Sequence, residues 1–260
     1  MCTLTIAWQV FADAPVVVAA NRDEALDRPS EPPTRRTDDP GVLAPRDTEA
    51  GGTWIGVNDD GVFVGITNRW IAVEGGGERS RGLLVRDALG ASSAEDAVRL
   101  VERAVRDHQY DGFNLVVADA NAATLVEWDG SVRVRPFSPG VHVVVNVGTD
   151  GAFFEPEGRP EMGPSQANNA AQVKETLRPE PGETPNAWLD RAAAVLADHD
   201  YGVCVHKEGP DGEFGTRSSS LVTVHRDGTV DYQFAPGAPC ETAYDSVETA
   251  GDGERDESQV

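Results

Sequence analysis

The chain has 260 residues, of which 39% are hydrophobic and 25% charged, a composition ordinary for a globular protein. Its formal net charge is −22 and its pI is about 4.4. Binding to nucleic acid is therefore not expected, because neutralising phosphates needs an excess of Lys and Arg. Adhesion to an anionic membrane is disfavoured for the same reason, and no apolar run is long enough for membrane insertion.

The acidity has two interpretations, a cationic partner or adaptation to a salty cytosol. In a salty cytosol, ions screen the repulsion between surface carboxylates. We favour this second interpretation, because acidic residues are spread along the whole chain. In addition, Lys174 and Lys207 are the only lysines, and the other basic residues are arginine. The composition therefore indicates an acidic protein of a halophilic proteome.

The cysteines indicate the cellular compartment. Cys2, Cys204 and Cys240 are an odd and widely spaced set, which fits neither a disulfide framework nor the spacing of a zinc knuckle. Residues 1–10 carry no basic region and no cleavage site of a signal peptide. The sequence therefore predicts a cytoplasmic protein with reduced thiols, no metal and no cofactor.

The chain opens with two predicted hairpins. Residues 2–10 and 16–20 are apolar or β-branched runs that predict the first pair of strands. Residues 27–50, rich in Pro, Asp, Thr and Arg, predict a long surface loop. An Asp-Gly turn between residues 52–57 and 62–67 predicts the second hairpin.

The middle of the chain contains the first helices. A short helix is predicted over residues 82–88, and an amphipathic helix over residues 94–107, where apolar residues recur at helical spacing. Apolar runs then predict four strands, the last of them mostly valine as in a strand buried on both faces. These strands are residues 113–118, 123–128, 131–136 and 141–147.

The remainder is less regular. Residues 148–184 are rich in Pro, Gly, Glu and Asn, and they support no assignment. A helix is predicted over residues 185–198, with Thr184 as its cap. The secondary structure of residues 201–206 is ambiguous from the sequence. A final hairpin joins the predicted strands 221–225 and 230–234.

This order of elements indicates the fold class. Strands follow one another as hairpins, and helices are interspersed between groups of strands, which is typical of an α+β fold with two antiparallel sheets covered by helices. Residues 1–240 are predicted to form a single domain. Residues 241–260 are predicted to be a disordered tail, because the chain there becomes acidic and polar.

Cys2 directly follows the initiator Met. Cysteine is small enough for methionine aminopeptidase to remove that Met, which leaves a thiol beside its own α-amine. An α-amino group has a pKa of about 8, so it can act as a built-in general base, and its positive charge lowers the pKa of the thiol. Considered alone, Cys2 is better explained as the start of a buried strand.

Residues 21–24 read Asn-Arg-Asp-Glu and follow the strand that pairs with the one beginning at Cys2. Asp23 is therefore expected close to Cys2, where it can accept a hydrogen bond from the α-amine or orient the thiol. Arg22 offers a planar cationic fork for a carboxylate or an oxyanion. The alternative is a turn with a local ion pair, which contributes little stability.

An ordered set of short motifs resembles the Transport and Golgi organization family, whose signature is this Asn-Arg-Asp-Glu (NRDE) sequence. The resemblance starts at the Met-Cys-Thr beginning of the chain and covers about residues 1–235. Each motif is weak alone, but the ordered set is specific. The further matching segments are residues 51–56, 67–69, 80–82, 113–115 and 215–220.

That family resembles N-terminal-nucleophile (Ntn) hydrolases of the penicillin V acylase and bile salt hydrolase type. The resemblance implies a four-layer αββα sandwich in which an N-terminal Cys attacks an amide carbonyl. It implies Cys2 as nucleophile and Asp23 as the Asp that positions it. Asn68 and Asn146 match the two Asn that stabilise the tetrahedral intermediate, although each could equally cap a turn at a strand end.

The same resemblance implies the candidate residues for substrate binding, Arg22, Trp54, Arg69 and Arg217. One departure from the acylases concerns Arg22. In those enzymes an Arg precedes the Asp by three residues, whereas here that position is Ala20. Because side chains alternate along a strand, the guanidinium of Arg22 need not point the same way.

Two functions are compatible with this sequence. The first is an Ntn hydrolase that cleaves a linear C–N amide bond of a small N-acyl amide, with Cys2 as nucleophile. The second is a non-catalytic carrier of haem, an acyl-lipid or acyl-CoA, since relatives in the family are linked to haem trafficking and acyl-lipid metabolism. A haem carrier needs an axial Cys or His, for which Cys2, His142 and His206 are the candidates.

Overall fold

The computed structural model describes residues 2–209 and 212–248. Within these ranges, two antiparallel sheets pack face to face and helices cover both outer faces. The predicted α+β class and its four layers are therefore confirmed. The reason is the alternation of side chains along the strands, which gives each sheet two apolar faces to bury.

The first sheet has the opening strand of the chain at its centre. It contains nine strands among the described residues. In spatial order, eight of them are β12 (Ala152–Phe153), β11 (Gly148–Thr149), β10 (Gly140–Val145), β1 (Thr3–Trp8), β2 (Val16–Ala25), β14 (Gly212–Val224), β15 (Val230–Ala235) and β16 (Asp245–Ser246). The ninth, β13 (His206–Gly209), pairs with the beginning of β14.

The second sheet is a meander, since each of its strands pairs with the next strand of the chain. In order, the seven strands found among the described residues are β3 (Ser30–Arg36), β4 (Asp39–Asp47), β5 (Ile55–Asn58), β6 (Phe63–Asn68), β7 (Phe113–Ala118), β8 (Ala123–Trp128) and β9 (Val132–Pro136). Most successive strands are joined by short turns, whereas β6 and β7 are joined by a longer segment that contains two helices.

The helices form the outer layers. They are α1 (Arg81–Ala88) and α2 (Ala94–Asp107) on the second sheet, and α3 (Met162–Thr176) and α4 (Pro185–Ala197) on the first. Hydroxyl side chains cap α1, α2 and α4 at their N-termini: Ser80, Ser93 and Thr184 each accept a hydrogen bond from a backbone N–H of the first turn. No helix of the described residues has the length and apolar character needed to cross a membrane.

Successive side chains of β1 point to opposite faces of the first sheet and so contact different layers. Leu4 and Ile6 pack in the core between the sheets, whereas Ala7 packs in the core beneath α3 and α4. By the same alternation Cys2, two residues before Leu4, lies on the side that faces the second sheet. The start of β1 therefore carries Cys2 to the end of the sandwich, between the two sheets.

The prediction of a loop over residues 27–50 is wrong, because most of this segment forms β3 and β4. Pro32 and Pro33 favoured the loop prediction, since proline cannot donate to a strand ladder. β3 is an edge strand, where a missing N–H is tolerated, and its pairing with β4 shifts register between Glu31 and Thr34.

Other differences concern the irregular parts of the chain. Residues 148–184, which the sequence left unassigned, form β11, β12 and α3. The ambiguous residues 201–206 end a 3₁₀ turn (His199–Tyr201) and begin β13. The single domain and its tail stay a prediction: residues 245–246 form β16, and residues 249–260 lie outside the described residues.

We expect the melting temperature to rise between about 0.1 and 1 M KCl, because over this range the Debye length falls from ~10 to ~3 Å. Screening then weakens the mutual repulsion produced by the net charge of −22. Thermal unfolding followed by circular dichroism measures this. KCl is preferable to sulfate, since sulfate also strengthens apolar burial. A melting temperature that is level or falls with KCl would contradict the halophilic interpretation.

Candidate active site

Pairing between β1 and β2 brings Cys2 to Asp23. Thr3 lies opposite Asn21 in the antiparallel register, so Cys2 reaches the second half of the NRDE motif. The Sγ atom of Cys2 accepts a hydrogen bond from the backbone N–H of Asp23 and donates to its carbonyl oxygen, both at 3.4 Å. The predicted hairpin thus brings these two candidate residues together.

The carboxylate of Asp23 is held by the neighbouring strand. Asp23 is 4% exposed, and its Oδ1 accepts a hydrogen bond of 2.7 Å from Thr216 Oγ1 on β14. Thr216 Oγ1 in turn accepts one of 2.9 Å from the backbone N–H of Val205. Thr216 was not among the candidates predicted from the sequence, although it lies in one of the matching motifs.

Burial changes the acid–base behaviour of both groups. It raises the pKa of the Cys2 thiol above its ordinary value, and the nearby Asp23 carboxylate raises it further. Burial likewise raises the pKa of Asp23. The thiol is therefore protonated near neutral pH with Met1 in place, and a general base is needed to generate the thiolate.

Two cavities meet at Cys2. The smaller has a volume of about 350 Å³ and the larger about 1120 Å³. Cys2, Asp23, Glu24 and Asn68 line both of them. Small-molecule sites commonly occupy ~300–1,000 Å³, so a reacting atom next to Cys2 could belong to a ligand that extends into both spaces.

Charged side chains of both signs line the smaller cavity. Its acids are Asp23, Glu24, Asp47 and Asp111, and its arginines are Arg22, Arg28, Arg79 and Arg81. Two of the arginines are neutralised, since Arg28 pairs with Asp47 and Arg79 pairs with Asp87, each at 2.7 Å. Arg22 lies 3.6 Å or more from its acidic partners, and Arg81 donates to a backbone carbonyl, so these two are the cations that a ligand could use.

Arg22 stacks on Trp54, with its guanidinium carbon 4.1 Å from the ring centroid. It is only 8% exposed, and its Nη2 lies 3.6 Å from Asp47 and 3.8 Å from Glu24. Its Nη1 is buried without a hydrogen-bond partner among the described residues. A buried donor of this kind is costly unless it is satisfied, so this nitrogen suits an acceptor on a ligand.

Arg81 was not among the sequence candidates. Its Nη1 donates to the Gly112 carbonyl oxygen at 2.9 Å. The residue begins α1, which packs tightly against the start of β5: a Cβ on Gly52 would lie 2.2 Å from the Gly82 carbonyl carbon. Two glycines are thus needed for this close approach. The Ser-Arg-Gly motif at residues 80–82 was the feature of the sequence that could have identified Arg81 as a candidate.

The two candidate asparagines lie together near Cys2. Asn146 follows Val145, which pairs with Thr3 of β1, so Asn146 flanks Cys2 on the side opposite to Asp23. Asn146 Nδ2 donates to the backbone oxygen of Asn68 at 2.8 Å. Asn146 lines the larger cavity and Asn68 lines both. All four candidate catalytic residues therefore converge where the cavities meet.

Two candidate substrate-binding arginines do not line either cavity. Arg69 is held in the second sheet, where its Nη1 donates to Glu127 at 2.9 Å and to Asn114 at 3.0 Å. Arg217 lies at an irregularity of β14 pairing, and its Nη1 donates to the Pro236 carbonyl oxygen at 3.2 Å. A break in strand alternation, which the sequence did not reveal, redirects this side chain.

Of the other candidate and motif residues, Asn21 and His142 make hydrogen bonds within the fold, and His206 lines a cavity. The Nδ2 of Asn21, the first residue of the NRDE motif, donates to the carbonyl oxygens of Leu196 and Val203 at 2.9 and 3.0 Å. His142 lies outside both cavities with its ring nitrogens 2.5 Å from Asp150 and 2.8 Å from the Ser138 carbonyl oxygen. His206 lines the larger cavity.

Comparison with known proteins identifies the family. The sequence model of the family described as Transport and Golgi organisation 2 matches residues 1–233. The chain belongs to this family. Among curated relatives in the Transport and Golgi organisation 2 family, the human Transport and Golgi organization protein 2 homolog is 26% identical over 247 residues, which cover 84% of each protein. The predicted family is therefore confirmed.

Solved structures of hydrolases share the fold of this chain. A Caenorhabditis elegans ortholog of N-acylethanolamine-hydrolyzing acid amidase superimposes with a TM-score of 0.55 at 12% identity, covering 85% of this chain and 92% of the amidase. Penicillin V acylase from Agrobacterium tumefaciens gives 0.51 at 16% identity, with 90% and 83% coverage. These similarities confirm the predicted Ntn-hydrolase fold, and at such identities they show the fold alone.

Proposed function

We propose that the protein is an Ntn-type hydrolase that cleaves a linear C–N amide bond with Cys2 as nucleophile. The observation that carries the proposal is the position of the Cys2 sulfur, 3.4 Å from the backbone of Asp23 and at the junction of two cavities. Because the nucleophile must stay a free thiol, we place the reaction in the reducing cytoplasm.

The reaction begins after removal of Met1, when the α-amine of Cys2 can take the proton from Sγ. The thiolate attacks the amide carbonyl carbon, and the C–N bond then breaks as the α-ammonium returns the proton to the leaving nitrogen. The same amine then takes a proton from water, and the hydroxide attacks the thioester carbonyl carbon. The C–S bond breaks and releases the acid, and the α-ammonium returns its proton to Sγ. Asp23 orients the amine and the thiol throughout.

Asn68 and Asn146 supply the stabilisation of the tetrahedral intermediate. Negative charge develops on the carbonyl oxygen during attack, and donors already in place lower the energy of that state. Asn146 is 2% exposed and Asn68 lies beside it at the cavity junction. An amide donor in such a buried position interacts strongly with a developing anion, because little water screens it.

The two cavities suggest how a substrate lies across the site. The larger includes Trp70, Met162 and Phe214 in its wall, which suits an acyl chain. The smaller includes Arg22 and Arg81, which suit a carboxylate or similar anion on the amine side of the bond. The substrate class that fits is a small N-acyl amide with an anionic leaving group, such as an N-acyl amino acid.

The experiment that tests the proposal combines two measurements. Intact mass of the native protein tells whether Met1 has been removed. The processed protein is then incubated with N-acyl amino acids and neutral N-acyl amides of several chain lengths, and the released amine is quantified. Turnover that is absent in Cys2→Ala supports the proposal. Equal release by both proteins, or no release by processed wild type across the panel, would overturn it.

Arg22→Gln is expected to raise KM for an N-acyl amino acid by about tenfold or more, because a hydrogen bond to a charged group contributes ~1.5–3 kcal/mol. The matched neutral amide, which lacks the carboxylate, should be affected less. Arg217→Gln is the control, since its guanidinium faces the Pro236 carbonyl oxygen away from the cavities. Equal losses with charged and neutral substrates would argue against anion recognition by Arg22.

A second candidate function is a carrier of haem or an acyl-lipid. The observation that favours it is the larger cavity, whose volume of about 1120 Å³ exceeds that of most small-molecule sites. Cys2 and His206 both line this cavity and could supply an axial ligand to haem. Haem titration followed at the Soret band tests this. Binding that Cys2→Ala and His206→Ala leave unchanged would count against it.

A further inference from the structure

A second cluster of reactive side chains, which does not include Cys2, lies at the wall of the larger cavity. It consists of His199, Cys204, His206 and Cys240. Each offers one ligand atom, and these four atoms all lie within 4.8 Å of one another. Cys204 is buried, whereas the two histidines are exposed.

The separations between three of these atoms are close to those of a tetrahedral metal site, and the fourth atom lies within 4.8 Å of them. The Sγ atoms of Cys204 and Cys240 are 3.4 Å apart, and His206 Nε2 lies 3.1 Å from Cys240 and 3.8 Å from Cys204. Around a tetrahedral zinc ion, bond lengths of ~2.0–2.3 Å place neighbouring ligand atoms about 3.3–3.8 Å apart. The ring of His199 lies beside that of His206, with centroids 5.2 Å apart, and completes the set.

We propose that His199, Cys204, His206 and Cys240 bind one zinc ion. Two thiolates and two imidazoles are a donor set that zinc accepts in tetrahedral geometry. With four protein ligands the ion has no open position for water or substrate. Its role is therefore structural, unlike that of a catalytic zinc, which keeps such a position.

The fold brings these ligands together from separate parts of the chain. His199 begins the 3₁₀ turn, and Gly202, with a φ of 64°, reverses the chain before Cys204. His206 begins β13. Cys240 lies in the turn after β15, where Glu241 and Thr242 both donate backbone hydrogen bonds to Ala238. A zinc ion here would tie this C-terminal turn to the cavity wall.

The site is connected to the proposed nucleophile. Val205 lies between two of the ligands, and its N–H donates to Thr216 Oγ1, which donates to Asp23. His199, Cys204 and His206 also line the larger cavity. Zinc would thus fix both the wall of that cavity and the support of Asp23. It would also occupy His206 Nε2, so the same histidine could not bind haem.

The first test is metal analysis of the whole protein, purified under reducing conditions without chelators. We expect about one zinc per chain by elemental mass spectrometry, since the four-ligand set forms a single site. Cobalt(II) loaded in its place should show the intense visible bands of tetrahedral coordination and a thiolate-to-cobalt charge-transfer band. Protein that binds neither ion, even after reduction and addition of zinc, would overturn the proposal.

Substitution of the proposed ligands distinguishes zinc bound at this site from zinc bound adventitiously elsewhere. Cys204→Ser, Cys240→Ser and His199→Gln should each lower the zinc content and change the cobalt spectrum. His225→Gln is the matched control, because His225 pairs with Asp231 on the surface and is not part of the cluster. Zinc retained by the two cysteine variants would refute the assignment. The assignment would also be refuted if Cys204 and Cys240 formed a disulfide, detected by intact mass, in preference to binding zinc.

Wild-type protein also provides a test that does not depend on whether a variant folds. Chelation should lower the melting temperature, and added zinc should restore it, because a ligand that binds only the folded state stabilises it. Cys2→Ser should respond in the same way, which makes the result independent of amide hydrolysis. A melting temperature unaffected by chelator and by zinc would contradict a structural ion at this site.

Discussion

Cys2→Ala is expected to lower kcat/KM for a cleaved N-acyl amide by at least about 10³-fold, as removal of a nucleophile does in other covalent hydrolases. The alanine removes the sulfur that forms the thioester, while the cavity walls and the asparagine donors remain. Steady-state release of amine measures the loss. Wild type incubated with a slow substrate should gain the mass of one acyl group, and the variant should not.

The stability of the variant serves as the control. Cys2→Ala removes a single sulfur atom, so little apolar surface is lost and the melting temperature should change little. Cys2→Ser keeps the shape of the side chain and tests whether the sulfur itself is needed. A fully folded Cys2→Ala protein with the activity of wild type would exclude Cys2 as the nucleophile.

The role of the α-amine can be tested on the same protein. Burial, together with Asp23, raises the pKa of the thiol, so a thiolate is scarce near neutral pH until a base takes its proton. Molecules that retain Met1 carry their amine one residue too early to serve Cys2. Fractions separated by intact mass should therefore differ in activity, with the Met1-retaining fraction close to Cys2→Ala.

The sequence predicted the features that depend on neighbouring residues in the chain. The first hairpin follows from two β-branched runs and a short turn, and its register is enough to place Cys2 beside Asp23. The amphipathic pattern of α2 gave its bounds correctly at residues 94–107. The αββα sandwich came from the family resemblance, since hairpin order alone indicates only α+β.

Local sequence patterns did not predict which arginines face a cavity, because tertiary contacts determine where these side chains lie. Arg69 belongs to a matching motif, yet Glu127 and Asn114 hold it inside the second sheet. Arg81 reaches the smaller cavity because α1 packs closely against residues far away in sequence. A single sequence contains neither contact, so it could not separate a structural arginine from one that faces a cavity.

The cysteine–histidine cluster shows the same limit more clearly. The sequence predicted no zinc site, because Cys2, Cys204 and Cys240 are an odd and widely spaced set. The turn after β15 and the start of β13 become neighbours only when both flank β14. Metal sites assembled from three separate segments have no characteristic spacing, so only the folded chain reveals this candidate.

Asp23→Asn is expected to lower kcat/KM by about 10²–10⁴-fold, the range by which a group that assists proton transfer accelerates a reaction. Asparagine keeps the shape and can still accept the hydrogen bond from Thr216, but it loses the charge that orients the α-amine. Because burial raises the pKa of Asp23, the acid limb of wild-type kcat/KM should lie above the ordinary aspartate value of about 3.9. The variant should lack this limb.

Asp23→Asn should lower activity without lowering stability. A raised pKa means that ionised Asp23 disfavours the folded state, so its stabilisation is present at low pH and is lost as pH rises through the folded pKa. Asp23→Asn should therefore not lower the free energy of unfolding at pH 7. A variant that lost activity only in proportion to lost stability would show that Asp23 supports the fold and has no role in the reaction.

Asp150→Asn is the matched control. Burial acts to raise the pKa of Asp150, but hydrogen bonds from His142 and Lys174 outweigh it and lower the pKa. Its stabilisation is therefore present above the ordinary pKa and lost as pH falls through the folded value. Asparagine tolerates the φ of 47° at this position, so Asp150→Asn should lower stability at pH 7 and leave kcat/KM unchanged. Denaturant unfolding and amide turnover on both variants would show whether these two effects separate.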